Sequence, residues 1–240
     1  MTITGKGKLY VNMSDDITHT IEFRGEGGQI VSFDIPREYR DSIRDSALPQ
    51  RNSCMIHSEE SVAAERERTR MRPAIESAPP ALAEFTVDVI GSTAEYAERV
   101  RHVVAAALDL ACTAEFDDED LPTDGFPDWF ARVSGQGEIA DQEFARDGRT
   151  AFLTRSGKAK PWSLQNWIYR FDPDEESRGW EFWDVVQVGP AEVRVWVDSW
   201  GESFFGSLDL LWVLYTAGAA RVEGPTVQGP DVWAAEVSGR

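Results

Sequence analysis

The run from Trp180 to Gly218 constrains this chain more than any other, because its apolar residues recur first at period two and then at helical spacing. One limb, Trp180-Glu181-Phe182-Trp183-Asp184-Val185-Val186-Gln187-Val188, turns at Gly189-Pro190 and returns as Ala191 to Trp200. On the return limb Ala191, Val193, Val195 and Val197 share one face, and Glu192, Arg194, Trp196 and Asp198 share the other. That is the alternation of a half-buried strand. An apolar helix should follow, with Ser207 as N-cap, Leu208, Leu211, Trp212 and Tyr215 at three- and four-residue spacing, and Gly218 at the left-handed C′ position.

Upstream, Lys8–Asn12, Thr18–Phe23 and Gln29–Ile35 read as a small β-meander, with Gly25-Glu26-Gly27-Gly28 as its last turn. Pro36 opens a helix with Tyr39, Ile43 and Ala47 on its apolar stripe. Ser58 to Arg72 forms a second helix, whose Glu and Arg residues at helical spacing and few apolar positions read as a solvated helix. The prolines between Pro73 and Ala83 suit an extended linker. Strand Glu84–Ile90 follows, and Ser92 and Glu95 have capping-box spacing for a long helix carrying Tyr96, Val100, Val103, Val104, Ala107, Leu108 and Ala111 on one face. Asp117 to Asp120 is an acidic loop, and short helices fit Asp128–Val133 and Ala140–Ala145. Periodicity leaves Pro161–Phe171 open between helix and strand. Beyond Gly224-Pro225 the tail reads as an irregular strap anchored by Trp233.

Charge separates the two parts of the chain. Residues 1–83 hold 11 Lys/Arg against 13 Asp/Glu, whereas residues 84–240 hold 13 against 29 and all nine Trp. The sum, −18, disfavours nucleic-acid phosphates and anionic membranes as partners and favours a basic protein. Only Cys54 and Cys112 are present, so no disulfide framework is indicated, and no apolar run approaches the roughly 18 residues of a spanning helix. A cytoplasmic protein is expected.

Several motifs come close to chemistry and miss it. Gly201-Glu202-Ser203-Phe204-Phe205-Gly206 departs from the nucleophile elbow by one position and lacks its strand-to-helix context. Gly135 to Ala140 fits a loose dinucleotide pattern without a preceding strand. Asp172-Pro173-Asp174 opens like a calcium loop, yet Ser177 stands where Gly is needed and Trp183 where the bidentate Glu is needed. His19, His57 and His102 stand apart, so neither a metal nor a cofactor is indicated. Glu181, Asp184, Asp198, Glu202 and Asp209 lie in or beside the hairpin and its helix, and a fold that paired two of them would support acid-base catalysis.

Tryptophan is the more informative excess, since indole is seldom wholly buried and its N–H wants a partner. Trp183 and Trp196 fall on the polar faces of their strands, where they are either exposed or buried by a second covering layer. If exposed, Trp183, Asp184, Trp196, Asp198, Trp200 and Glu202 compose a partner-binding face for an Arg- or Lys-rich protein. Pro161–Phe171, the Trp180–Trp200 hairpin and Leu210–Ala219 together resemble a tryptophan-rich group of uncharacterised actinobacterial proteins, some of immunity-protein type. The resemblance spans about residues 120–220 and implies toxin neutralisation, without implying an active site.

The expected fold class is α+β. A small β-meander with helices occupies 1–72, a Pro/Ala-rich linker 73–83, and an acidic, Trp-rich domain 84–240, with a larger antiparallel sheet and helices packed on one face. The expected function is a cytoplasmic protein-binding module, an immunity-type inhibitor of a basic toxin. The alternative is a hydrolase or transferase using a carboxylate pair between the two regions.

Overall fold

The computed structural model describes the backbone of residues 7–13, 18–25 and 30–36, and residues 57–116, 120–135, 142–175 and 177–239 with their side chains. The chain divides between Cys54 and Met55 into two compact units. In the first, β1 (Gly7–Met13), β2 (Thr18–Gly25) and β3 (Ile30–Pro36) form an antiparallel meander in which Leu9 pairs with Phe23 and Ile21 with Phe33. Its expected glycine turn and the helix after Pro36 lie outside the described residues.

The division at residue 54 corrects the boundary expected at 73–83. Helix α1 (Glu59–Arg70) is solvated on one face only: Val62, Glu65 and Thr69 are buried, and the helix packs on α2 (Thr93–Ala111) and β5 (Glu181–Gln187). The proline run carries a 3-10 turn at Ile75–Ser77 and leads directly into β4 (Leu82–Val89), whose Leu82 and Ala83 are wholly buried. Residues 73–83 are therefore a connection inside the second unit.

That unit is built on a four-stranded antiparallel sheet in the order β5-β6-β4-β7, with β6 spanning Glu192–Asp198 and β7 Ala219–Gln228. The expected hairpin is β5-β6. Its register shifts between Phe182 and Asp184, so that Phe182 pairs with Val197 while Asp184 pairs with Trp196. The extra residue is Trp183. Such a bulge re-aims the strand, and here Phe182 and Val185 face the main core whereas Trp183 and Val186 face the opposite side.

The main core lies between the first of these faces and the helices. Tyr96, Val100, Val103, Val104, Ala107 and Leu108 of α2 pack with Phe85, Val87, Val193, Val195 and Val197 from the strands, as the spacing predicts. Helices α3 (Asp128–Val133), α4 (Glu143–Ser156), α5 (Leu164–Ile168) and α6 (Leu208–Thr216) complete that layer, and Pro161–Phe171 resolves as α5 plus a 3-10 turn. Ser92 and Ser163 cap their helices, each accepting the backbone N–H three residues on at 3.3 Å. Ser207 stands at the expected N-cap position without a side-chain cap bond, and Gly218 takes φ +114° just after α6. The tail is more regular than expected. After β7 it forms α7 (Pro230–Ser238), which covers the second face of the sheet with Trp233 at its centre.

Helices α4 and α6 cross at Gly148. A Cβ there would stand 1.9 Å from the Tyr215 carbonyl oxygen and 2.9 Å from the Thr216 Cα, both backbone atoms that cannot rotate away. Gly148→Ala should therefore force the helices apart and lower the unfolding free energy by about 3 kcal/mol or more, read as a lower denaturant midpoint at unchanged m-value.

Candidate functional site

The structure separates the six residues expected on one binding face. Trp183, Asp184 and Trp196 are buried, the last completely, while Asp198, Trp200 and Glu202 are half-buried. The covering layer is α7: Trp233 meets Trp183 edge-on with ring centroids 5.6 Å apart and donates its indole N–H to Asp184 Oδ2 at 3.1 Å, and Trp196 Nε1 donates to Glu236 Oε2 at 3.2 Å. The buried Trp183 Nε1 has no hydrogen-bond partner among the described residues, whereas the Trp233 and Trp196 donors meet carboxylates inside the fold. Trp180 follows the same rule, donating to Asp209 Oδ1 at 3.1 Å.

Each of the five buried carboxylates among the described residues also meets arginine. Asp184 takes Arg72 Nε at 2.8 Å and an Arg101 guanidinium nitrogen at 3.2 Å, Asp209 takes Arg170 Nε at 3.2 Å, and Glu84 holds Arg194. A carboxylate moved out of water without such a partner costs several kcal/mol, which is why these positions come as pairs.

The densest of these clusters joins α1 to the sheet. Arg178 chelates both oxygens of Glu65, at 2.6 and 2.7 Å, and Glu65 Oε1 also accepts the Phe182 N–H at 2.5 Å. Arg68 donates to the Phe182 carbonyl at 2.8 Å and to Glu181 Oε2 at 2.9 Å. Together with Arg101, which donates to the Val185 carbonyl at 2.7 Å, these side chains occupy the outer edge of β5 that would otherwise present unpaired backbone groups. His57, 2% exposed, donates from Nε2 to the Arg178 carbonyl at 2.9 Å, and its Nδ1 lies 3.6 Å from Glu181 Oε1, an electrostatic contact beyond good hydrogen-bond length.

His57, Glu65 and Glu181 have ligand atoms within 4.8 Å of one another, a donor set that sequence spacing concealed. Arg178 already takes both oxygens of Glu65 and Arg68 one of Glu181, so the two carboxylates are matched by two guanidinium groups and a cation would have to displace them. The same pair is the nearest counterpart of the carboxylate pair expected between residues 1–72 and the acidic region. Burial pushes the Glu181 carboxyl up, but His57, Arg68 and Arg178 outweigh it and hold the group below the ordinary glutamate value. Both members are thus fixed by cations, and Glu181 stays ionised, unsuited to act as a general acid.

His57 also lines an open groove of about 800 Å³ between α1, the C-terminal end of α2 and the turn at 172–175. Five carboxylates line it, from Glu59, Glu115, Asp172, Asp174 and Glu175, and Arg66 is its only Arg or Lys among the described residues. Asp172 Oδ1 accepts the Asp174 N–H at 2.9 Å, so the segment with calcium-loop spacing is an Asx-type turn on the groove wall. Spacing groups Asp172, Asp174 and Glu175 alone, and the fold adds Glu59 and Glu115 from two other segments.

Of the remaining residues of the expected face, Trp200 adjoins His57. Trp200 meets the imidazole edge-on at 5.5 Å, its backbone N–H donates to Asp198 Oδ1 at 2.7 Å, and the Glu202 carbonyl accepts from Ser199 Oγ at 2.7 Å. Trp200 has φ +54°, a left-handed conformation that costs a bulky side chain about 1–2 kcal/mol. The hydrogen bonds on either side of it hold that conformation.

Comparison with protein-family models, with curated proteins and with solved structures returns no match. Among the described residues no helix is long and apolar enough to cross a membrane.

The lowered Glu181 pKa has a signed consequence. Its stabilisation is complete above the unfolded glutamate value of about 4.3 and is lost as pH falls through the lower folded value. Glu181→Gln should therefore reduce stability at pH 7 and make the decline between about pH 5 and pH 3 shallower, as measured by urea unfolding across that range.

Proposed function

We propose that this chain is a protein-binding module for a basic partner, of the kind an immunity protein uses to neutralise a basic toxin. The observation that carries the reading is the acidic groove beside α1, with five carboxylates and one arginine on its walls. Residues 55–240 hold 17 Lys/Arg against 34 Asp/Glu. Six of those arginines and five of those carboxylates are engaged in the buried clusters, which leaves 11 basic against 29 acidic groups elsewhere. The acid excess thus lies outside the buried clusters, and a concave acidic wall offers part of it where a cationic side chain can enter. Carboxylate-pair catalysis is the weaker reading, since arginine holds both Glu65 and Glu181.

Coexpression with each neighbouring reading frame tests the proposal. One neighbour should be basic, arrest growth when expressed alone, and be harmless and co-purify when expressed with this chain; no such neighbour, or protection without binding, contradicts it. With that pair in hand, association should slow steeply as salt rises, because the Debye length shrinks from about 30 Å at 0.01 M to about 8 Å at 0.15 M. Replacing Asp174 and Glu175 together by Lys should lower the association rate at low salt by about tenfold, with a smaller effect on dissociation.

A further inference from the structure

The second face of the sheet carries a small apolar cluster of its own, Leu82, Trp183, Val186 and Trp196, closed by Trp233 and separate from the main core. We propose that α7 is a detachable latch: it undocks as a unit while the rest of the second unit stays folded, and the open state presents the Trp183–Trp196 face to solvent.

Four observations support independent release. Among the described residues no backbone–backbone hydrogen bond ties α7 to the sheet; those at its ends, Val232 to Gly229 and Gly239 to Ala235, are its own. The helix has nine residues, fewer than the roughly 12–15 an isolated helix needs, so docking and helix formation stand or fall together. Its single fully buried residue is Trp233, flanked by partly buried Val232, Ala234 and Val237. The polar partners left behind lose little: Asp184 keeps Arg72, Arg101 and the Val185 N–H when the Trp233 indole leaves, and the Trp196 N–H passes from Glu236 to water.

Glu236 adds a bias toward opening. Burial, with Glu84 and Glu192 nearby, outweighs the Trp196 and Arg194 contacts and raises its carboxyl pKa, so the ionised form is better accommodated in water than beside the docked helix.

Native-state hydrogen exchange on the full chain tests the latch. Amides of residues 232–238 should exchange at least about 100-fold faster than the paired amides of β4 and β6, through an opening that denaturant accelerates with a slope well below that of global unfolding. Trp233→Ala should abolish protection in α7 while β4 and β6 remain protected and the rest of the second unit still unfolds cooperatively. Protection in α7 equal to that of β6, or loss of the whole fold in Trp233→Ala, would overturn the proposal, because a latch must leave the main core standing.

Discussion

The Glu65–Arg178 pair governs how the second unit is assembled. Glu65 sits on a helix whose sequence is almost entirely polar, and a helix of that kind has little apolar area with which to dock. Its carboxylate nonetheless lies wholly buried, chelated by Arg178 and bonded to the Phe182 N–H. The three contacts fix where α1 lies along β5. With α1 in place, Arg68 reaches the Phe182 carbonyl and Glu181, and Arg72, just past the helix end, reaches Asp184. Geometry of this quality is needed if the desolvation of four or more charges is to be offset, and its effect is as much to set register as to add net stability.

The same logic sorts the charge of the whole unit. Tryptophan N–H groups and arginine guanidinium groups converge on a few internal carboxylates, Asp184 and Asp209 above all. Internal clusters that are close to neutral leave the acid excess outside them, and five of those carboxylates line the groove beside α1. His57 links the two zones. It lines the groove while its ring nitrogens face the Arg178 carbonyl and Glu181.

Much of this architecture is legible in the residues. The β5-β6 hairpin, the capped α2 with its apolar stripe, the short α3 and the N-terminal meander follow from periodicity, turn residues and capping signals, which act over a few residues. What was not legible depends on partners far along the chain. Val62, Glu65 and Thr69 lie at helical spacing, yet a glutamate in that stripe signals burial only when Arg178 is known to face it. The bulge at Trp183 turned that residue and Val186 toward one side, and nothing local announced that α7 would cover them. The pattern therefore leaves Trp196 open between an exposed patch and a covered face, and the structure makes its indole an internal donor. The candidate groove was invisible for the same reason, its acids being contributed by residues as distant as 59 and 175.

A double-mutant cycle on Glu65 and Arg178 tests the central claim most directly. Replacing Arg178 by Met leaves a buried carboxylate without its partner and should cost about 3–5 kcal/mol, and Glu65→Met should be comparably costly. The double variant should cost no more than either single one, which requires a coupling energy of at least about 3 kcal/mol between the two sites. Single variants within about 0.5 kcal/mol of the parent, with additive effects in the double, would contradict the account and return α1 to the role of a solvated helix.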